Sequence, residues 1–186
     1  MELHIVHYIG PIHAESASTV RNLCLMALKD GAARLELHLS TEGGNTTAGF
    51  ALYNFLKALP VPLTTHNIGS VESIGVPIFL AGGERFAAPR TRFLIHPLHW
   101  GFGDLTSADH GRISEWRDCL DFDAERYREV FDEATCNAGE RIDITPCLRS
   151  HARIFTPPQA RAAGIIHAER PALIPARDKA VHWWAG

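Results

Sequence analysis

Residues 34–49 read Arg34-Leu35-Glu36-Leu37-His38-Leu39-Ser40-Thr41-Glu42-Gly43-Gly44-Asn45-Thr46-Thr47-Ala48-Gly49. Leu35, Leu37 and Leu39 alternate with Glu36 and His38, the period-two pattern of a half-buried strand. Gly43-Gly44 then allows a tight turn with bare backbone N–H groups. Asn45 or Thr46 can cap a helix whose apolar stripe is Ala48, Leu52, Phe55, Leu56 and Leu59, closed by Pro60 and Pro62. The same alternation of elements extends to both sides. Leu3 to Ile9 reads as a strand, and Ser16 to Asp30 as a helix with Val20, Leu23, Cys24, Ala27 and Leu28 on one face and Gly31 as its stop. Leu63 to Ile68 is a strand, followed by a short apolar helix from Ser73 to Ala81. Strand, helix, strand, helix, strand, helix implies right-handed crossovers and a mainly parallel sheet, an α/β fold.

Composition narrows the class. The chain has 186 residues, 46% hydrophobic and 21% charged, which is ordinary for a globular protein and excludes wholesale disorder. The net charge of −3 lacks the basic footprint of a general nucleic-acid binder. Apolar runs fall well short of the ~20 residues that cross a membrane, and no signal peptide is visible. Cys24, Cys119, Cys136 and Cys147 have no CxxC spacing and suit buried or half-buried thiols in a reducing compartment, so a cytoplasmic location is expected. His4 and His7 lie on opposite faces of a strand, and His96 and His99 lack a third ligand at helical spacing. No metal site and no cofactor is expected. Residues 1–168 read as one domain, and 169–186 as a C-terminal tail that contains Trp183-Trp184.

The second half is less regular. Arg85 to Ala88 and Arg92 to Ile95 are short strands around a Pro89-Arg90 turn, and Ile165-Ile166 is a candidate last strand. Ala108 to Ala138 reads as one helix with Ile113, Trp116, Leu120, Tyr127, Val130, Phe131 and Ala134 near heptad spacing. A helix of about 31 residues would be about 45 Å long, more than a domain of this size needs, so it projects or packs on another subunit.

Three local features could carry chemistry. The Ser40-to-Asn45 turn presents N–H groups suited to an anion or oxyanion, or is a structural turn. Gly69-Ser70-Val71-Glu72-Ser73-Ile74-Gly75 lies at a strand-to-helix junction, where a serine is a nucleophile near the helix dipole or merely an N-cap. It is not the G-x-S-x-G elbow of the α/β-hydrolases. Phe93-Leu94-Ile95-His96-Pro97 ends an apolar strand on a histidine, which is either a general base or a core-lining residue.

In this order the three features resemble the proteolytic-subunit family of the Clp protease, serine peptidases of the ClpP/crotonase fold. The family's Gly-Gly turn before a T-A-G helix is matched by Glu42 through Gly49, and its G-x-A-x-S-x-G by Gly69 through Gly75, with Val71 and Glu72 as departures. Its M-I-H-x-P is matched by Leu94-Ile95-His96-Pro97, the proline one place early. Its C-terminal D-R-F-L-S-A-P-E-A corresponds to Ala152 through Ala160, followed by Gly164-Ile165-Ile166-His167. The resemblance spans residues 3 to 167. It implies a repeated β-β-α superhelix with a long handle helix, Ser73 as nucleophile and His96 as general base. It further implies an oxyanion hole from the N–H groups of Gly43 or Gly44 and Ile74. An unfolded peptide substrate would pair as a strand beside Gly44, Asn45 and Thr46 on one side and Leu98, His99 and Trp100 on the other.

The departures carry expectations of their own. Ala152 stands where the family's triad aspartate should be, so either Ser73 and His96 act as a pair, another group such as Asp143, His151 or Glu72 orients His96, or activity is weak or absent. The family's N-terminal extension of about twenty residues, which forms an axial gate, has no counterpart before the first strand, so engagement of a Clp-type ATPase is doubtful. An insertion of a few residues falls between His96 and Ala152, in and after Gly101-Phe102-Gly103 and the handle helix; the length of that helix favours a homo-oligomeric ring, while the insertion leaves ring size and stacking open. Two alternative functions remain in view: a non-catalytic ring subunit, and a crotonase-type acyl-CoA enzyme.

Overall fold

The computed structural model describes residues 2–101, 103, 107–176 and 179–185; Phe102, within the expected insertion, lies outside them. Strands β1 (Leu3–Ile9), β2 (Arg34–Thr41) and β3 (Leu63–Glu72) are linked by helices α1 (Ala14–Lys29) and α2 (Thr46–Lys57), and α3 (Gly75–Leu80) follows β3. β1, β2 and β3 pair parallel and adjacent, as the alternating pattern requires. Leu35, Leu37 and Leu39 point to one face with Val6 and Tyr8, and the helices cover them with Val20, Phe50, Leu52 and Leu56. Each such side chain contributes roughly 1.5–3 kcal/mol by leaving water.

β3 then serves two neighbours in succession. Thr64 to Asn67 pair with β4 (Glu84–Ala87), whereas Ser70 to Glu72 pair with β5 (Arg92–Ile95). The division falls at Ile68-Gly69, beside a register shift between β2 and β3 at Leu39/Thr41. Buried Asn67 bridges it: its Nδ2 donates to the Arg92 carbonyl at 2.9 Å, and its Oδ1 accepts from Gly69 N at 3.0 Å. Both partners of β3 are thereby fixed, and the end of β3 is brought beside the end of β5. β6 (Arg153–Phe155) adds to β5 antiparallel.

The long helix is α4 (His110–Ala134), 25 residues or about 37 Å, shorter at both ends than the apolar spacing predicts. Asp109 fixes its start by accepting from Arg112 N, and the Thr135 hydroxyl turns back on the Phe131 carbonyl at its end. α3 begins at Gly75 rather than Ser73, because Ser73 has a left-handed backbone (φ +53°) that no α-helix accepts. Ile165-Ile166 is not a strand. Both N–H groups return to the Ala160 carbonyl and close α6 (Pro157–Ala162), after a left-handed Gly164. The last strands are instead β7 (Ala168–Glu169), paired with β4, and β8 (Ala180–Ala185), paired parallel with β1. α5 (Thr145–Arg149) packs on α4. Cys24 and Cys147 are buried, but Cys119 and Cys136 are exposed, contrary to the sequence expectation for all four.

Arg85 holds the periphery together. Its buried guanidinium donates to four backbone carbonyls: Ile165 (2.9 Å), Gly82 (3.2 Å), Ala134 (2.9 Å) and Gly164 (3.1 Å). These belong to the α3–β4 turn, the end of α4 and the α6–β7 connection, whose carbonyls would otherwise be short of donors. Arg85→Met is expected to lower unfolding stability by about 3–5 kcal/mol, read as a shift in the urea midpoint.

Candidate active site

β3 delivers Ser73 and β5 delivers His96 to the same edge. Glu72 pairs with Leu94, and the Ser73 N–H continues the ladder by donating to the Leu94 carbonyl at 2.8 Å. The Ser73 carbonyl accepts from the buried Tyr127 hydroxyl of α4 at 3.0 Å and from Val76 N at 3.0 Å. These bonds hold a non-glycine residue in the left-handed region, a conformation that costs an L-residue roughly 1–2 kcal/mol. Among the described residues no hydrogen bond reaches the Ser73 hydroxyl, and none closes it onto His96. Catalytic contacts of this kind commonly tighten only with substrate bound.

His96 is oriented by its neighbour in sequence. Its Nδ1 lies 2.9 Å from the Pro97 carbonyl, which only accepts, so Nδ1 carries the proton and Nε2 keeps a lone pair. The three carboxylate or imidazole groups weighed as orienters are engaged elsewhere. Glu72 bonds Arg92 at 2.7 Å, Asp143 accepts from Thr145 N at 2.8 Å, and His151 lies against Ser150 Oγ at 3.2 Å. The last β5–β6 pair is Ile95 with Arg153, the residues adjacent to His96 and Ala152. Val71, the other departure, is fully buried in the core.

The glycine turn packs directly on Ser73. A Cβ on Gly43 would stand 2.6 Å from Ser73 Cβ, and one on Gly44 would stand 2.2 Å from the Ile12 carbonyl oxygen; both residues have positive φ. Ile12 clamps the turn by donating to the Gly43 carbonyl at 2.7 Å and accepting from Asn45 N at 2.8 Å. The Gly43 N–H is already bound to Thr41 Oγ1 at 3.0 Å. Those of Gly44 and Ile74 have no acceptor among the described residues. Asn45 caps α2 through Ala48 N, and the Thr46 hydroxyl donates to Asp123 of α4 at 2.6 Å. On the far side, Leu98 N donates to the Leu148 carbonyl at 3.0 Å, and the His99 ring stacks on His96 at 6.1 Å. Leu98 and His99 open into a groove of about 880 Å³ walled by Ile113, Trp116 and Leu120, which does not extend to Ser73.

This sequence fits the family model "Clp protease" over residues 1–167. The chain belongs to the Clp protease family. It is 30% identical over 167 residues to ATP-dependent Clp protease proteolytic subunit 1 of Leifsonia xyli subsp. xyli, covering 88% of this chain and 81% of that one. With the proteolytic subunit 1 of Chlamydia pneumoniae it shares 33% over 146 residues, 77% of this chain and 75% of the relative. A solved ClpP1 mutant from Listeria monocytogenes superimposes with a TM-score of 0.72 at 23% identity, over 95% of this chain and 94% of that one, which establishes the ClpP fold. Membership in the Clp protease family makes the chain a serine-type peptidase and does not favour the acyl-CoA and non-catalytic readings. Among the described residues no helix is long and apolar enough to cross a membrane.

Sequence reasoning missed one cluster outside this edge. Glu36, His38 and His66 bring a carboxylate oxygen and two ring nitrogens within 4.8 Å of one another. The sequence signal was Glu-x-His on one strand with a histidine on the next, visible only once the β2–β3 register is known.

Ser73→Gly and Ser73→Ala both remove the hydroxyl, but glycine adopts φ +53° freely. The glycine variant is expected to be more stable than the alanine variant by about 0.5–1 kcal/mol in chemical denaturation. Equal stability would mean the turn stores no strain.

Proposed function

We propose that this Clp-family peptidase cleaves peptide bonds with Ser73 as nucleophile and His96 as general base. The observation that carries it is the left-handed Ser73 at the end of β3, beside two amides with no acceptor of their own. Ser73 Oγ attacks the scissile carbonyl as His96 Nε2 takes its proton. The oxyanion is met by the Gly44 and Ile74 N–H groups, each donor worth about 10²–10³ in rate. His96 returns the proton to the leaving amine, and water, activated by the same ring, releases the acyl group from Ser73. Gly44 is preferred to Gly43 because the Gly43 amide is committed to Thr41. The substrate is an extended segment of unfolded polypeptide, laid between Gly44-Asn45-Thr46 and Leu98-His99.

The Pro97 carbonyl replaces the missing aspartate in fixing the His96 tautomer but brings no full charge to the imidazolium. Activity is therefore low for the family. Ala152→Asp places a carboxylate at the family's aspartate position and is expected to raise kcat on a fluorogenic peptide at least about tenfold, against a ceiling near 10⁴. No gain would show that His96 is not reached from position 152. Fluorophosphonate labelling should be complete in the parent and absent in Ser73→Ala; labelling that survives the substitution would remove Ser73 from the mechanism.

Residues 1–168 act as the peptidase domain, with 169–186 returning onto it as a tail. Exposed Ile113 and Phe122 on α4 suit contact between copies, which supports a homo-oligomeric ring. Native mass spectrometry and ATP-dependent co-elution with a ring ATPase test the assembly and its partner.

A further inference from the structure

The Glu36, His38 and His66 side chains lie on the face of the sheet away from Leu35, Leu37 and Leu39 and play no part in the proposed hydrolysis. Backbone register places them. Glu36 and His38 alternate on β2, and His66 of β3 stands directly opposite His38. His66 and His38 side chains are essentially inaccessible, at 0% and 2%, while that of Glu36 retains 16% and gives the cluster its opening to solvent.

The hydrogen-bonding pattern leaves a deficit of positive charge. His66 Nε2 lies 3.0 Å from the Arg170 carbonyl, an acceptor only, so Nε2 carries the ring proton. Nδ1 of the neutral ring is then a bare lone pair. It is buried without a hydrogen-bond partner and faces Glu36 Oε1, another acceptor, at 3.4 Å. The same oxygen lies 3.0 Å from His38 Nε2. Among the described residues no Lys or Arg pairs with Glu36, and the Arg170 guanidinium stacks on Phe86 instead.

We propose that Glu36 Oε1, His38 Nε2 and His66 Nδ1 form a site for a divalent transition-metal ion, with Zn²⁺ the best fit. The separations of 3.0 and 3.4 Å from Glu36 Oε1 to the two ring nitrogens match the edge of a tetrahedron, about 3.3 Å for metal–ligand bonds of about 2.0–2.1 Å, and the two nitrogens, within 4.8 Å of each other, would close on the ion by a small rotation of the rings. Two imidazoles and one carboxylate favour zinc over Mg²⁺ or Ca²⁺, which prefer all-oxygen shells. The Arg170 carbonyl already plays the outer-shell part, fixing the His66 tautomer so that Nδ1 points at the ion. A metal here would anchor the segment after Glu169 to β3 through that bond.

The test uses the full chain, stripped with chelator and titrated with Zn²⁺ alone by calorimetry, with metal content read after gel filtration. One zinc per chain is expected, with Tm raised by about 5–10 °C at free zinc 100-fold above Kd. Glu36→Gln, which keeps shape, and His38→Asn should each weaken binding by about 100-fold or more, since even outer-shell losses cost 10–100-fold. X-ray absorption should report two imidazole nitrogens. Three results would overturn the site: no Tm response to zinc, affinity unchanged in both variants, or binding that disappears only with Cys119→Ser and Cys136→Ser. The first would leave a protonated His66 paired with Glu36 as the explanation of the geometry.

Discussion

The bond from Ser73 N to the Leu94 carbonyl is the point on which the catalytic edge depends. It extends the β3–β5 ladder one residue past the last regular pair, just as the chain turns left-handed. Together with the Tyr127 and Val76 bonds to the Ser73 carbonyl, it holds Ser73 left-handed, and α3 starts two residues later at Gly75. With it, the side chain leaves the strand direction and the Ile74 amide turns away from the ladder. Tyr127 reinforces the same turn from α4, so a long helix far from Ser73 in sequence also sets the geometry of the proposed nucleophile. The glycines follow from this closeness, since Gly43 meets Ser73 at a distance no Cβ tolerates.

How much of this was legible depended on whether a pattern is local. β1, β2, β3, α1 and α2 follow from periods of two and 3.6 within single segments, and Asn45 caps α2 as its position suggests. The left-handed backbone at Ser73 is imposed by β5 and α4, elements twenty and fifty residues away, so the serine reads as an ordinary helix start. α4 ends where Thr135 turns back on the helix, although the apolar spacing runs on without interruption. β8 was invisible because its partner, β1, lies at the other end of the chain. The triad position shows a different limit. The resemblance puts the family's aspartate position at Ala152; the structure shows that His96 lies against the Pro97 carbonyl.

That replacement alters the chemistry in a definable way. A carboxylate beside a catalytic histidine selects the tautomer and stabilises the imidazolium that forms when the serine proton is taken. The Pro97 carbonyl performs the first task, because it accepts from Nδ1 as a carboxylate would. It performs the second only as a dipole, and it belongs to the adjacent residue, so the ring is oriented relative to its own backbone rather than braced from β6. The proposed oxyanion donors, the Gly44 and Ile74 amides, are untouched by this change. A site of this kind retains transition-state stabilisation at the carbonyl oxygen while losing it at the base.

The opposite face of the sheet shows why so many histidines can be buried in these strands. His66 is met there by the Arg170 carbonyl and His182 by that of Pro175, while His4, on the Leu35 face, is met by the Trp183 indole N–H. His7 lies 3.0 Å from His182 and stacks on Trp184 at 4.0 Å. Every one of these partners comes from residues 170–184, beyond the 167 residues that match the Clp protease family model. The matched strands therefore carry polar side chains whose complements lie in the unmatched segment. β8 at the same time covers the free edge of β1, which would otherwise offer unpaired N–H and C=O groups to another chain. A segment that satisfies buried imidazoles in β1 and β3 and closes an edge is part of the fold's own balance of polar groups, so the C-terminal residues and these histidines stand or fall together.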